Sequence, residues 1–233
     1  DRGRFPIDFM FHLTKDEFEG LKARAASNNA PGPCYHSFAD AKDMKEGKMV
    51  RSLMTLVFLA TLVVQAEAQT AQFRVSSPAF KPGGTLKVEQ VFSGFGCTGG
   101  NISPELSWSN APAGAKSFAV TMYDPDAPTG SGWWHWVIFN IPANVTKLAG
   151  GTGDPGKNLA PAGSVQSRTD FGAAGYGGPC PPAGTKPHRY IFTVFALKVD
   201  KLDLDANASG AMVGFFLNAS ALGKASVTGR YGR

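Results

Sequence analysis

The sequence predicts a mainly β fold in a single domain, and three observations predict it. The 233-residue chain contains 28 Gly and 16 Pro, residues that interrupt helices and suit turns. Its longer apolar runs after residue 69 are rich in Val, Ile, Phe and Tyr, with polar interruptions too close together for a helical face. Clusters of Gly, Pro, Asn and Asp separate those runs. A hydrophobic share of 43% with 18% charged residues belongs to a folded protein and is too apolar for a disordered one.

In chain order, residues 73–75 and 86–92 read as early strands, separated by the turn Lys81-Pro82-Gly83-Gly84. Asn101-Ile102-Ser103-Pro104 turns the chain into a short strand at 106–108, which Pro112-Ala113-Gly114 closes. Residues 117–123, 136–141 and 190–199 are the three strongest strands, each ending at Pro or Asp. Residues 143–186 read as surface loops of the kind that build sites. Ser209 is placed to cap one helix that runs through Met212, Val213, Phe216 and Leu217 at helical spacing to about Leu222.

Ahead of these elements, Lys48, Met49 and Arg51 precede an apolar run at 53–64, and Ala66-Glu67-Ala68 follows it. Cations, about a dozen apolar residues and a small-residue cleavage pattern make a signal peptide over 49–68. The competing reading is a buried helix in a protein that stays in the cytosol. The run is too short for a permanent span, so the expected mature protein covers 69–233, has no stable membrane span and is periplasmic or secreted. Residues 1–48 are then an N-terminal extension or fused fragment outside the mature protein. Within it, residues 4–28 resemble a truncated piece of a phage-type ORF6N DNA-binding domain, too short to bury a core of its own, and residues 29–48 read as linker.

From Gln69 onward there are 14 Lys and Arg against 9 Asp and Glu, so the mature part keeps a formal charge of +5. That suits an anionic ligand or simply a soluble cationic surface. It lacks the clustered basic stripe of a nucleic-acid binder, and no nucleic-acid partner is expected. Cys97 and Cys180 remain in the mature part, where two cysteines in an exported domain invite a disulfide worth about 4 kcal/mol by loop entropy. Neither a CxxC nor a Cys/His ligand spacing occurs, so no metal is expected. Gly151-Thr152-Gly153-Asp154-Pro155-Gly156 matches a dinucleotide pattern on paper, but Pro155 makes it a surface turn and no cofactor is expected.

The chemistry-bearing segments lie at strand ends. Asp124-Pro125-Asp126-Ala127-Pro128 follows an apolar strand directly. Its carboxylates suit either a structural turn, where they accept backbone N–H bonds, or a pocket. In Trp133-Trp134-His135-Trp136, alternation puts His135 on the face opposite both Trp134 and Trp136, as a core histidine or as a pocket residue. The mature part has one other histidine, in Pro187-His188-Arg189-Tyr190, after the loop Tyr176-Gly177-Gly178-Pro179-Cys180-Pro181-Pro182.

These motifs, in this order, resemble the phosphatidylethanolamine-binding protein family over nearly all of 69–233. Asn101-Ile102-Ser103-Pro104, Arg168-Thr169-Asp170-Phe171-Gly172 and Ser209-Gly210-Ala211-Met212-Val213-Gly214 bring the chain nearer the bacterial, Raf kinase inhibitor-like YbhB/YbcL branch. The two cysteines and the signal peptide favour its exported, YbcL-like members. The resemblance implies a PEBP-like fold: a large central antiparallel sheet, a smaller second sheet, peripheral helices and a shallow anion pocket at one end. It carries a ligand-binding role to Asp124, Asp126, His135, Gly178, His188 and Tyr190, with Trp134 and Tyr176 as secondary wall candidates and a cis bond expected at Pro125 or in Pro181-Pro182. Some relatives carry histidines in the C-terminal segment, where this chain reads Phe215-Phe216-Leu217-Asn218-Ala219-Ser220.

Two acids beside an anion are reconciled if they orient the imidazoles and both histidines donate N–H bonds. The expected protein is therefore not an enzyme. It is a binding or regulatory module for a phosphate-like anionic group, and the resemblance also implies an inhibitor of a protein partner, since relatives include inhibitors of kinases and peptidases. The alternative is an Asp/His-dependent hydrolase of a phosphoester or peptide. No Gly-x-Ser-x-Gly elbow or His-Glu-x-x-His motif supports it.

Overall fold

A computed structural model describes residues 71–233, all within one compact unit, Ala68–Arg233. The expected signal peptide and the segments before it lie outside the described residues.

Five antiparallel strands make the central sheet: β5 (Ser117–Asp124), β6 (Trp133–Pro142), β8 (Val165–Gln166), β9 (His188–Leu197) and β10 (Ala221–Tyr231), in the order β10-β9-β5-β6-β8. A three-stranded sheet joins β1 (Arg74–Ser76), β4 (Leu106–Ser109) and β7 (Lys147–Leu148), and β2 (Ser93–Gly94) forms a hairpin with β3 (Cys97–Thr98). One face of the central sheet packs Val120, Met122, Ile138 and Phe192 against Leu106, Trp108 and Leu148 of the smaller sheet. The other face packs Ala119, Val137 and Phe139 against Val213 and Leu217 of the helix α1 (Gly210–Ser220). Because β5 lies between β6 and β9 with both faces covered, its residues are buried at adjacent positions rather than in alternation.

The mainly β architecture, the central sheet and the three strongest strands stand as expected, and Ser209 caps α1 by accepting from the Met212 N–H. Several details differ. Residues 86–92 are not a strand: only Thr85 bridges Arg230, after which Gln90 Oε1 accepts the Lys87 N–H and a 3-10 turn forms over Val88–Gln90. These local bonds leave Val88 exposed instead of in a ladder. The helix stops at Ser220, and the following residues form the edge strand β10, which small and polar residues concealed from periodicity. Every peptide bond among the described residues is trans, so neither Pro125 nor Pro181-Pro182 carries the expected cis bond. Only the second half of the 151–156 segment is the expected surface turn, with Asp154 capping a 3-10 turn at Pro155–Lys157, whereas Gly151, Thr152 and Gly153 are buried.

The alternation expected around His135 is broken. Pairing between β5 and β6 passes from Met122↔Trp136 to Tyr123↔Trp134, leaving His135 as an extra residue in β6. Such a bulge re-aims the side chains on either side of it. Trp136 consequently joins the core below the sheet while Trp134 packs on the α1 side, above Gly210 and Gly214. The two tryptophans lie on different faces, not on the shared face that strict alternation requires.

Candidate functional site

Three neighbouring strands converge at one end of the central sheet. β5 ends at Asp124, β6 begins with Trp133 opposite it, and β9 starts with His188. On β9, alternation puts His188 and Tyr190 on the inner, buried side and Arg189 outside. The His135 bulge brings its ring to 5.2 Å from that of Tyr190, edge to face.

These residues enclose a pocket of about 170 Å³ lined by Asp124, His135, His188, Tyr190 and Trp133 at its polar centre. Phe95, Phe171, Pro128, Pro181 and Pro182 make an apolar rim. Phe171 is held there by the 168–174 loop, in which Asp170 Oδ2 accepts the Trp134 N–H at 2.7 Å. The hairpin tip that carries Phe95 is tied to the opposite wall by the Cys97–Cys180 disulfide. Arg233 adds a second tie, since its guanidinium donates to the carbonyls of Pro181 and Gly96.

Asp124 and His188 are both buried, and His188 Nδ1 donates to Asp124 Oδ2 at 2.8 Å. Asp124 Oδ1 accepts the Asp126 N–H at 2.8 Å, the turn contact expected of an Asp-Pro-Asp segment. Asp124 thus closes the turn and orients His188, and His188 Nε2 is the ring nitrogen without a protein partner among the described residues.

His135 differs from His188. Its Nδ1–H donates to the Gly177 carbonyl at 2.7 Å, and burial pushes its pKa down to about 4. At neutral pH its Nε2 is therefore an acceptor, and the expectation that both histidines donate fails at His135. Two lining residues carry unpaired donors: the Tyr190 hydroxyl and the Trp133 indole N–H are buried and make no hydrogen bond. Burial also pushes the Tyr190 phenol far above its ordinary range, so it stays protonated and can donate.

Asp126 and Gly178, also expected at the site, stand outside the pocket lining. Asp126 is spent on Arg189, accepting from its Nε at 2.9 Å, its Nη2 at 2.7 Å and its backbone N–H at 2.8 Å. That guanidinium holds the Asp126 carboxyl down at about 2. Gly178 donates its N–H to Asn101 Oδ1, and a Cβ there would collide with the backbone of Gln90 and Val91. Tyr176 is buried with its hydroxyl donating to the Gln90 carbonyl, and Trp134 faces α1, so neither lines the pocket.

Sequence reasoning missed Trp133, Phe171 and Phe95. Phe171 stood in a quoted motif without a role, and Phe95 had no signal beyond its nearness to Cys97. Among the described residues, no three His, Cys, Asp or Glu side chains converge in a way that could hold a metal ion.

The family model described as phosphatidylethanolamine-binding protein matches residues 76–232. The UPF0098 protein YbcL of Escherichia coli is 53% identical over 180 residues, which cover 77% of this chain and 98% of that protein. Its crystal structure, described as a new member of the mammalian PEBP family, aligns with a TM-score of 0.69 at 56% identity, covering 70% of this chain and 99% of that one. YbhB of the same organism is 51% identical over 158 residues, 68% of this chain and 99% of YbhB. LppC of Mycobacterium tuberculosis, whose name places it among lipoproteins, is 37% identical over 157 residues, 67% of this chain and 71% of LppC.

Proposed function

The chain belongs to the phosphatidylethanolamine-binding protein family, and on that premise we propose that it is an exported, non-catalytic binding protein whose pocket takes a small phosphate-like anion. The observation that carries this reading is the pair of buried donors without partners, Tyr190 Oη and Trp133 Nε1, on two residues that line one pocket. A buried donor left unpaired costs about 1–3 kcal/mol, and an oxyanion that accepts from both recovers that cost.

A singly protonated phosphate ester matches the remaining polarity. Its unprotonated oxygens accept from Tyr190 and Trp133, its P–OH donates to His135 Nε2, and His188 Nε2 faces the same space. The apolar rim of Phe95, Phe171 and Pro128 accommodates the organic part of the ester. In this reading Asp124 orients His188, while Asp126 and Gly178 hold the surrounding backbone instead of touching the ligand. When the anionic group sits on a protein, the domain acts as an inhibitor-type modulator of that partner.

Export and a mature domain over 69–233 are supported by the 49–68 pattern, by the disulfide and by the likeness to LppC.

The Asp124–His188 pair has the geometry of an oriented general base, which is the one observation favouring a hydrolase. Against it, Cys180 is locked in the disulfide and the Thr129 hydroxyl at the pocket donates to the Gly132 carbonyl. Calorimetry with phenyl phosphate tests both readings. Binding should weaken about fivefold or more in Tyr190→Phe and in His188→Ala. Unchanged affinity in both variants removes the pocket assignment, and phosphate release that His188→Ala abolishes replaces binding with hydrolysis.

A further inference from the structure

Beside the pocket lies a wider open cavity of about 870 Å³, and Pro128 and His188 line both. Its lining carries three cations, Lys186, Arg189 and Arg230, and one acid, Asp126. Arg189 and Arg230 are direct partners across β9 and β10, a like-charge pairing that ordinarily destabilises a sheet. The nearby acid, Asp126, is committed to Arg189 through three hydrogen bonds, and neither Lys186 nor Arg230 has a carboxylate partner among the described residues. A further cavity shares Arg230 and adds Arg233, so positive charge continues around the 185–187 loop. Adjacent cations at the mouth of a pocket concentrate anions there and favour any ligand that can neutralise them.

We propose that this ledge is a second anionic subsite, and that the ligand carries two anionic groups: one seated in the pocket and one, a phosphate or carboxylate, on Lys186 and Arg230. The inference rests on the pocket reading above. Pro128 and His188 line both cavities, so the two sites are adjacent and the proposed ligand needs only a short linker between its anionic groups. The second contact then forms within a single bound molecule, at a high effective concentration. Asp126 keeps Arg189 in place and neutralised, so the second anionic group is drawn by Lys186 and Arg230.

Alkyl monophosphates and alkanediol bisphosphates of graded chain length, titrated into the mature protein at low salt, provide the test. At the best spacing the bisphosphate should bind about tenfold more tightly than its monophosphate, and the advantage should shrink at high salt. The Lys186→Gln/Arg230→Gln double variant, whose folding a thermal melt checks, should lose that advantage and keep the monophosphate affinity within about threefold. Equal binding of the two series by the wild type, or a preference that survives in the double variant, overturns the ledge and leaves the pocket standing. Binding of neither series overturns the pocket reading, and the ledge with it.

Discussion

Replacing His135 with asparagine isolates one proton-linked contribution to stability. In the unfolded chain this imidazole titrates near 6.5, whereas burial holds it at about 4 in the folded protein. Between those values the unfolded state binds a proton that the folded state refuses, so unfolding gains as pH falls. The contribution is fully present above pH 6.5 and is lost progressively between about 6.5 and 4. A shift of about 2.5 units at about 1.4 kcal/mol each corresponds to about 3 kcal/mol. His135→Asn should be less stable than wild type at neutral pH, because it gives up the ring contacts with Tyr190 and Phe171. That deficit should shrink by about 3 kcal/mol as the pH approaches 4, because the variant has no imidazole to protonate. Urea unfolding of both proteins, followed by tryptophan fluorescence at several pH values across this window, measures the difference. Asp126 does not confuse the result: its carboxyl is held at about 2 by Arg189, so its contribution is present above its unfolded value and is lost only below about pH 4. Parallel pH profiles for the two proteins would refute the assignment of His135 as a neutral, buried acceptor.

Tyr190→Phe should leave the ligand-free protein equally stable or more stable by up to about 1 kcal/mol, because it deletes a buried hydroxyl that has no partner, while ligand binding weakens; denaturation and calorimetry on the same samples separate the two effects. Gly178→Ala should destabilise by more than about 2 kcal/mol, since its Cβ meets backbone at Gln90 and Val91 that cannot move aside cheaply, and a lowered melting temperature reads this out. Cys97→Ser/Cys180→Ser should cost about 4 kcal/mol on loop entropy, with raised amide exchange in residues 93–98, the hairpin the bridge ties down; unchanged exchange there would show that Arg233 suffices to hold it.

Much of the fold was legible in local sequence. The β9 run announced itself through Val, Ile, Phe and Tyr, and Ser209 announced the helix start through a cap that needs only the residue three positions on. Residues 86–92 misled because an apolar run does not distinguish a strand from a coil that buries Leu86 and Val91 around a 3-10 turn. β10 was missed because an edge strand built on Gly, Ala, Ser and Thr has little hydrophobic contrast. Within the site, Asp124, His135, His188 and Tyr190 come together as the motif order implied. Asp126 was read with them because its neighbour Asp124 looked equivalent, yet Arg189, outward-facing on a different strand, takes both of its carboxylate oxygens.

Composition and turn residues by themselves pointed to a mainly β protein, and the resemblance of the ordered acid, histidine and proline motifs to the phosphatidylethanolamine-binding family implied which segments meet at the site. Those signals are local, so one chain read in order contains them. Only the tertiary structure decided that His135 accepts while Tyr190 and Trp133 are left to donate, that Asp126 serves Arg189, and that the basic ledge adjoins the pocket. Each of these depends on a bulge, a cross-strand register or a partner tens of residues away, and a hydrogen bond is decided by which atoms such long-range pairing brings within about 3 Å.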